Sequence, residues 1–122
     1  MSRKITADAM QKMYAYKTFK RDNTHVKITP NYEAEMYLHN NNIAILSPNN
    51  RRLYIRNAGW FSVTTKERLN GILGRTPYHI RQKDFKWDIM RIRWKEGMYT
   101  NEIVLEDWDG EWFTIEGNEI YK

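Results

Sequence analysis

Apolar and polar positions change their period several times along the chain, and each change marks an element. Met10, Met13 and Tyr14 fall at i, i+3 and i+4, the spacing of a buried helix stripe. Thr6 or Asp8 offers an oxygen to the first turn, so a short helix is predicted to run to about Ala15 or Lys17. From Thr24 the period falls to two. Val26 and Ile28 alternate with His25 and Lys27. After a Pro30-Asn31 turn, Tyr32, Ala34, Met36 and Leu38 alternate with Glu33, Glu35, Tyr37 and His39. Asn40-Asn41 is expected to turn tightly, because asparagine tolerates positive φ. Residues 42–47 read as a third strand, Pro48-Asn49-Asn50 as a turn and residues 51–57 as a fourth strand. On that fourth strand Leu53 and Ile55 oppose Arg52, Tyr54 and Arg56. Four short strands joined by short turns predict an antiparallel β-meander.

The helical period returns over residues 64–73. Thr64-Thr65-Lys66-Glu67 fits a capping box, with Thr64 as the cap and Glu67 reaching back. Leu69, Ile72 and Leu73 form the apolar face, and Gly74 is expected to end the helix in the left-handed conformation. Beyond Pro77 a hairpin is predicted, with Tyr78 and Ile80 on one arm, a turn near Lys83-Asp84, and Phe85, Trp87 and Ile89 on the other. Trp60, Phe85 and Trp87 are assigned to the core. A last hairpin is predicted to pair residues 102–105 with 111–115 around Asp109-Gly110. The fold class is α+β: one antiparallel meander, a short N-terminal helix, one capped helix and C-terminal hairpins.

At 122 residues, 41% hydrophobic and 29% charged, the chain is expected to be a single domain over 1–122 with a self-sufficient core. It has no cysteine, so disulfide and thiolate chemistry are excluded. The longest aliphatic run, Ile43-Ala44-Ile45-Leu46, is too short to span a bilayer. Met1-Ser2-Arg3-Lys4 leads into polar sequence without an apolar signal region. These features predict a soluble protein of the cytoplasm. Charge is unevenly placed: residues 1–95 carry +12 and residues 96–122 carry −7, within a net +5. The basic body would attract polyanions and the acidic last quarter repel them, unless the two neutralise each other in the fold.

Tyr37-Leu38-His39-Asn40-Asn41-Asn42-Ile43-Ala44, then Ala58-Gly59-Trp60 and Thr64-Thr65-Lys66-Glu67-Arg68-Leu69-Asn70, resembles a family of small tailed-bacteriophage proteins of unassigned function. Its members read LHGN-x-IA, then GW-x-TVTT-x-RLN, then a QK-x-x-W hairpin. Gln82-Lys83 and Trp87 stand where that hairpin would be, and Phe19-Lys20-Arg21-Asp22-Asn23-Thr24 resembles the family's approach to its first strand. The resemblance covers roughly residues 7–90. This chain departs from it at Asn40-Asn41, which lacks the usual glycine, and at residues 91–111, which look like an insertion. The resemblance implies a phage origin and one small α+β domain, and together with the cytoplasmic character read above the expected place is the host cytoplasm. It implies no catalytic activity.

The residues themselves point the same way. Ser2, Ser47 and Ser62 are the candidate nucleophiles, and none lies in a Gly-x-Ser-x-Gly elbow. His25, His39 and His79 lack the spacing that sets two ligands on one helix face. Glu33 and Glu35 with Asp84 and Asp88 would suggest a metal-dependent nuclease, but no lysine lies two residues after either glutamate, and Asp107-x-Asp109-Gly110 lacks the later ligands of a calcium loop. Gly71-Ile72-Leu73-Gly74 has the outline of a backbone-clamping loop, but its middle is apolar and fits a helix end. No enzyme, metal or cofactor is therefore expected, although a site scattered over loops would leave no such signature.

What remains is basic residues interleaved with aromatic ones. Tyr14, Tyr16, Lys17, Phe19, Lys20 and Arg21 form one cluster; Arg52, Tyr54 and Arg56, beside Arg51, form a second. Arg81, Lys83, Lys86, Arg91, Arg93, Trp94 and Lys95 form a third. Cations that follow phosphates beside rings that stack on bases are what single-stranded nucleic acid requires. Neither a helix-turn-helix nor a zinc finger is visible, which sets single strands ahead of duplex. Nucleic acid is thus the expected partner, with a homo-oligomer, dimer or tetramer, as the expected state. The alternative is an effector that inhibits a host protein through the acidic C-terminal region. Glu102, Glu106, Asp107, Asp109, Glu111, Glu116 and Glu119, with Trp108 and Trp112, would form that surface.

Overall fold

A computed structural model describes residues 4–122. Helix α1 spans Lys4–Tyr14. Five strands follow: β1 Phe19–Arg21, β2 Thr24–Ile28, β3 Ala34–Leu38, β4 Asn41–Leu46 and β5 Arg52–Ile55, with a 3₁₀ turn at Pro48–Asn50. Then come α2 Val63–Leu73, β6 Tyr78–Lys83, β7 Lys86–Lys95, β8 Met98–Leu105, β9 Phe113–Glu116 and β10 Glu119–Tyr121. All strand pairs are antiparallel. One sheet has seven strands in the order β1-β2-β3-β4-β5-β9-β10, and the other has three, β6-β7-β8. The predicted α+β class and its meander are borne out, with β1 as an added first strand.

The alternation of the sequence decides which face of the large sheet is buried. Val26, Ala34, Met36, Ala44, Leu46, Leu53, Ile55, Phe113 and Ile115 face inward. A bulge between Met36 and Tyr37 lets the successive residues Ile43 and Ala44 both sink into the core. Ala9 and Met13 of α1 and Leu69, Ile72 and Leu73 of α2 join one continuous cluster, completed by Tyr78, Ile80, Trp87 and Ile89 of the small sheet. Met10 is half-buried and stands outside this core, and Thr6 takes the buried place one turn earlier. At the α1–α2 crossing Arg68 is itself buried. It donates to the hydroxyls of Thr6 at 2.6 Å and Thr24 at 3.0 Å and pairs with Glu67.

Five details differ from the sequence expectations. The first tight turn is His39-Asn40, both at positive φ, one residue earlier than expected. The cap of α2 is Ser62, whose hydroxyl accepts from the Thr65 N–H at 3.1 Å. Glu67 does not close a capping box with Thr64, because it accepts from Thr6 at 2.6 Å and pairs with Arg68. Gly74 ends α2 at φ −59°, since the Thr76 N–H and hydroxyl both reach back to the Leu73 carbonyl at 2.8 Å. Phe85 is 97% exposed and Trp60 57% exposed; the first sits at positive φ in the β6–β7 turn, where the strand alternation no longer applies.

The largest correction concerns residues 102–115, which do not pair with each other. β8 returns onto β7, and β9 crosses to lie between β5 and β10. Trp108 is the anchor of that crossing. It is buried between Trp87 and Phe113, and its N–H donates to the Trp87 carbonyl at 2.7 Å. Gly110 at φ +86° lies so close to Asn57 that a Cβ would come within 2.1 Å of its Oδ1. The Asp109-Gly110 bend thus hands the chain from one sheet to the other.

Candidate nucleic-acid interface

The outer face of the seven-stranded sheet is covered by neither α1 nor α2, which both lie on its inner side. Its side chains follow directly from register. Lys27, Glu35, Ile45, Tyr54, Thr114 and Tyr121 form one row across six strands. Lys20, His25, Tyr37 and Asn42 form a second, and Arg52, Glu116 and Glu119 a third. Tyr54 sits at the centre. It walls a shallow hollow of about 360 Å³ with Glu33, Ile45 and Trp112, and another of about 300 Å³ with Arg52, Thr114, Glu116 and Tyr121.

Two cations on this face are already seated over rings. The Lys27 ammonium lies 4.7 Å from the Tyr37 ring centre, and the Arg56 guanidinium 4.7 Å from that of Trp112. Arg56 also donates to the Asn42 carbonyl at 2.7 Å, which holds its plane in place. The Tyr54 hydroxyl first and the Glu116 carboxylate second raise the pKa of Arg52. Burial, then the charges of Lys27 and Lys20, hold His25 below its usual 6.5, so it is neutral at pH 7.

The acidic last quarter does meet the basic body. Glu116 accepts from Arg51 at 3.4 Å and Arg52 at 3.2 Å, and Glu102 from Arg93 at 2.5 Å. With Glu33, Glu35, Glu116 and Glu119 among Lys20, Lys27, Arg52 and Arg56, the open face is close to electrical balance. Its distinguishing feature is therefore its rings and the cations placed beside them.

The structure brings together only part of the three sequence clusters. Arg52, Tyr54, Arg56 and Lys20 share the open face. Arg21 turns to the helix side, where it donates to Asp8 at 2.8 Å, and Lys17 is exposed just beyond α1. Tyr14 packs on α2, donates to the Ile72 carbonyl at 2.8 Å, and is pushed up to about 12 by burial. Tyr16 stacks on Tyr32 at 5.0 Å. Arg81, Lys83, Lys86, Arg91, Arg93 and Trp94 belong to the small sheet. There Arg81 pairs with Asp88 at 2.7 Å and Arg93 with Glu102, while Arg91 lies over the Tyr78 ring. Sequence reasoning missed Lys27, Tyr37 and Tyr121 for this face and gave Trp112 to the acidic surface instead. The first two were within reach, because they alternate with core residues on their own strands; Trp112 and Tyr121 needed the β5–β9–β10 pairing.

Trp108 is buried and so is not part of an acidic outer surface; its indole N–H donates to the Glu111 carbonyl at 2.9 Å. Ser2 lies outside the described residues. Ser47 and Ser62 serve the backbone, accepting from the N–H groups of Arg52 and Thr65. Among the described residues no group of three or more His, Asp or Glu side chains is placed to hold a metal ion. Also among them, no helix is long and apolar enough to cross a membrane.

A family model described as Kyanoviridae Gp96 protein matches residues 2–114 of the chain. This bears out the resemblance at the level of a phage protein family. No curated protein and no solved structure matches.

Proposed function

Because the chain belongs to the Kyanoviridae Gp96 family of phage proteins, we propose that it is a non-enzymatic accessory protein of the infected cell's cytoplasm that binds single-stranded nucleic acid. The observation that carries this reading is the uncovered sheet face, with Tyr54 at its centre and cations beside the rings around it. A base laid on Tyr54 would have Arg56 on one side and Arg52 on the other, both on the same strand face. Single strands fit better than duplex because rings on an open sheet can stack only on unpaired bases, which alone offer them a π-face. Lys20, Lys27 and Arg56 are the cations of this face outside the Glu116 ion pairs, and they would follow the phosphates.

Fluorescence anisotropy with a labelled oligonucleotide, repeated across a salt series, tests this. Three phosphate contacts to a single strand predict a log–log salt slope of about −2. Tyr54→Ala should weaken binding by about 1–3 kcal/mol, the worth of one stacked base, with the circular dichroism unchanged. An absence of binding at low salt would remove the reading altogether.

A further inference from the structure

Among the described residues the two sheets expose four strand edges, and three of them are guarded. β1 is three residues long and carries Lys20 and Arg21; β10 is three residues long and carries Glu119. β6 is closed by α2: the Asn70 amide donates to the Ile80 carbonyl at 3.1 Å and accepts from the Ile80 N–H at 2.7 Å. β8 is the exception. It is eight residues long, has β7 on one side only, and contains no proline, glycine or lysine. Its one charge, Glu102, is engaged by Arg93. A bulge at Val104 breaks its pairing with β7 near the far end, so the unguarded stretch is Met98–Ile103, and such a stretch is a template for another strand.

The hairpin geometry says which atoms are free. Glu96 and Gly97, both at positive φ, form the two-residue loop between the closing pair Lys95 and Met98. Hydrogen-bonded and non-bonded pairs alternate from that closure. Thr100 and Glu102 therefore direct their backbone groups to β7, and Tyr99, Asn101 and Ile103 direct theirs outward. Apolar side chains surround this edge. Trp94 is 63% exposed, Met98 65% and Tyr99 73%, with Ile92 and Ile103 also exposed, and Trp94 and Tyr99 meet edge to face at 4.7 Å.

We propose that the occupant of this edge is β8 of a second copy of the same chain, paired antiparallel about a two-fold axis at Asn101. In that register Tyr99 lies opposite Ile103 of the partner subunit. Trp94, Tyr99 and the partner's Ile103 and Met90 then form one apolar row across the joined sheets. On the other face Thr100, not a carboxylate, opposes the partner's Glu102, which thereby comes near Arg93 as well. Moving the axis one residue further along the chain would set Glu102 against its own copy, a like-charge pair that this register avoids. Edge pairing leaves both faces of the joined sheet open, so what is buried is the backbone edge and the lateral contacts of Tyr99, Ile103 and their counterparts, which sets this interface at the small end of specific ones, below about 1,200 Å² in total. The sequence-based expectation of a homo-oligomer thus acquires a surface, independent of any nucleic acid.

Sedimentation equilibrium of the full chain without nucleic acid should give twice the 14.8 kDa chain mass. Asn101→Pro, which removes an outward N–H but no β7–β8 bond, and Ile103→Lys should each weaken self-association at least about tenfold while circular dichroism is unchanged. Paired Asn101 residues would stand with Cα atoms about 5.5 Å apart, inside the disulfide range. Asn101→Cys in this cysteine-free chain should therefore oxidise to a covalent dimer far faster than Lys86→Cys. This cross-link also tests the wild-type edge should Asn101→Pro fail to fold. A chain that remains at 14.8 kDa, or a dimer that survives Asn101→Pro with no preferential cross-link at 101, overturns the proposal, whatever else then binds the arm.

Discussion

The two sheets rest on one core and differ in what they do with their other side. On the seven-stranded sheet the outer rings lie under cations or beside carboxylates, and the outermost strands are short and charged. On the three-stranded sheet the far half of the β7–β8 hairpin carries Ile92, Trp94, Tyr99 and Ile103 with water on both faces. A polar surface studded with rings suits a ligand that binds and leaves; an apolar arm suits a lasting partner. The lesson is that aromatic residues in one small chain divide into three jobs. Trp87 and Trp108 hold the core, Tyr54 and Trp112 make a platform, and Trp94 with Tyr99 makes a contact. Nothing in the residue types separates those jobs; position in the assembled sheets does.

The sharpest way to break this division is at its tryptophans. Trp108→Ala should cost about 3–5 kcal/mol in urea unfolding, as for a buried aromatic; a small cost would show that the crossing between the sheets does not need its anchor. Arg68→Ala leaves Glu67 in a poorly hydrated place and should cost about 3 kcal/mol, the scale for a broken buried pair. On the platform, Tyr54→Ala should weaken oligonucleotide binding about 5- to 150-fold, whereas Tyr99→Ala should leave it unchanged. Equal losses would erase the distinction between the two surfaces. Trp94→Ala should shift the stability of the single chain by no more than about 0.5 kcal/mol when unfolding is followed at a concentration too low for self-association.

Acid provides a finer comparison. The Arg81 guanidinium, then the Asp107 N–H at 2.9 Å, hold the Asp88 carboxyl below its ordinary 3.8. A depressed folded value means that the stabilisation is present above the unfolded value and fades as pH falls through the folded one. The wild-type chain should therefore lose stability below about pH 4. Asp88→Asn should be less stable at neutral pH and lose less on acidification. Parallel acid curves for the two would show that this ion pair does not tie β8's exit to the small sheet.

Short-range structure could be read from the chain because its causes are short-range. The α2 face, the meander and the asparagine turn at Pro48-Asn49-Asn50 rest on residues a few positions apart, and each lies where its spacing placed it. The expected capping box failed because a distant hydroxyl, Thr6, and the neighbouring Arg68 engaged Glu67. The expected last hairpin failed for a related reason. Phe113 and Ile115 alternate identically whether they face Leu105 or Leu53, so alternation names the buried side and not the neighbour. Half of the candidate site was open to the same reasoning: Arg52, Tyr54 and Arg56 share a face by simple period. Its other half was hidden in strand order, which sets Trp112 beneath Arg56 and pairs Glu116 with Arg52.

The amino-acid order by itself determined the class of fold, the inward face of the meander strands β2 to β5 and the absence of any disulfide, since all three follow from periodicity and composition. Only the tertiary structure decided which rings meet water, which charges cancel and which strand edge stays open. Those outcomes depend on contacts between segments far apart in the chain, whose pairing is chosen by the burial of the whole core and by no local pattern.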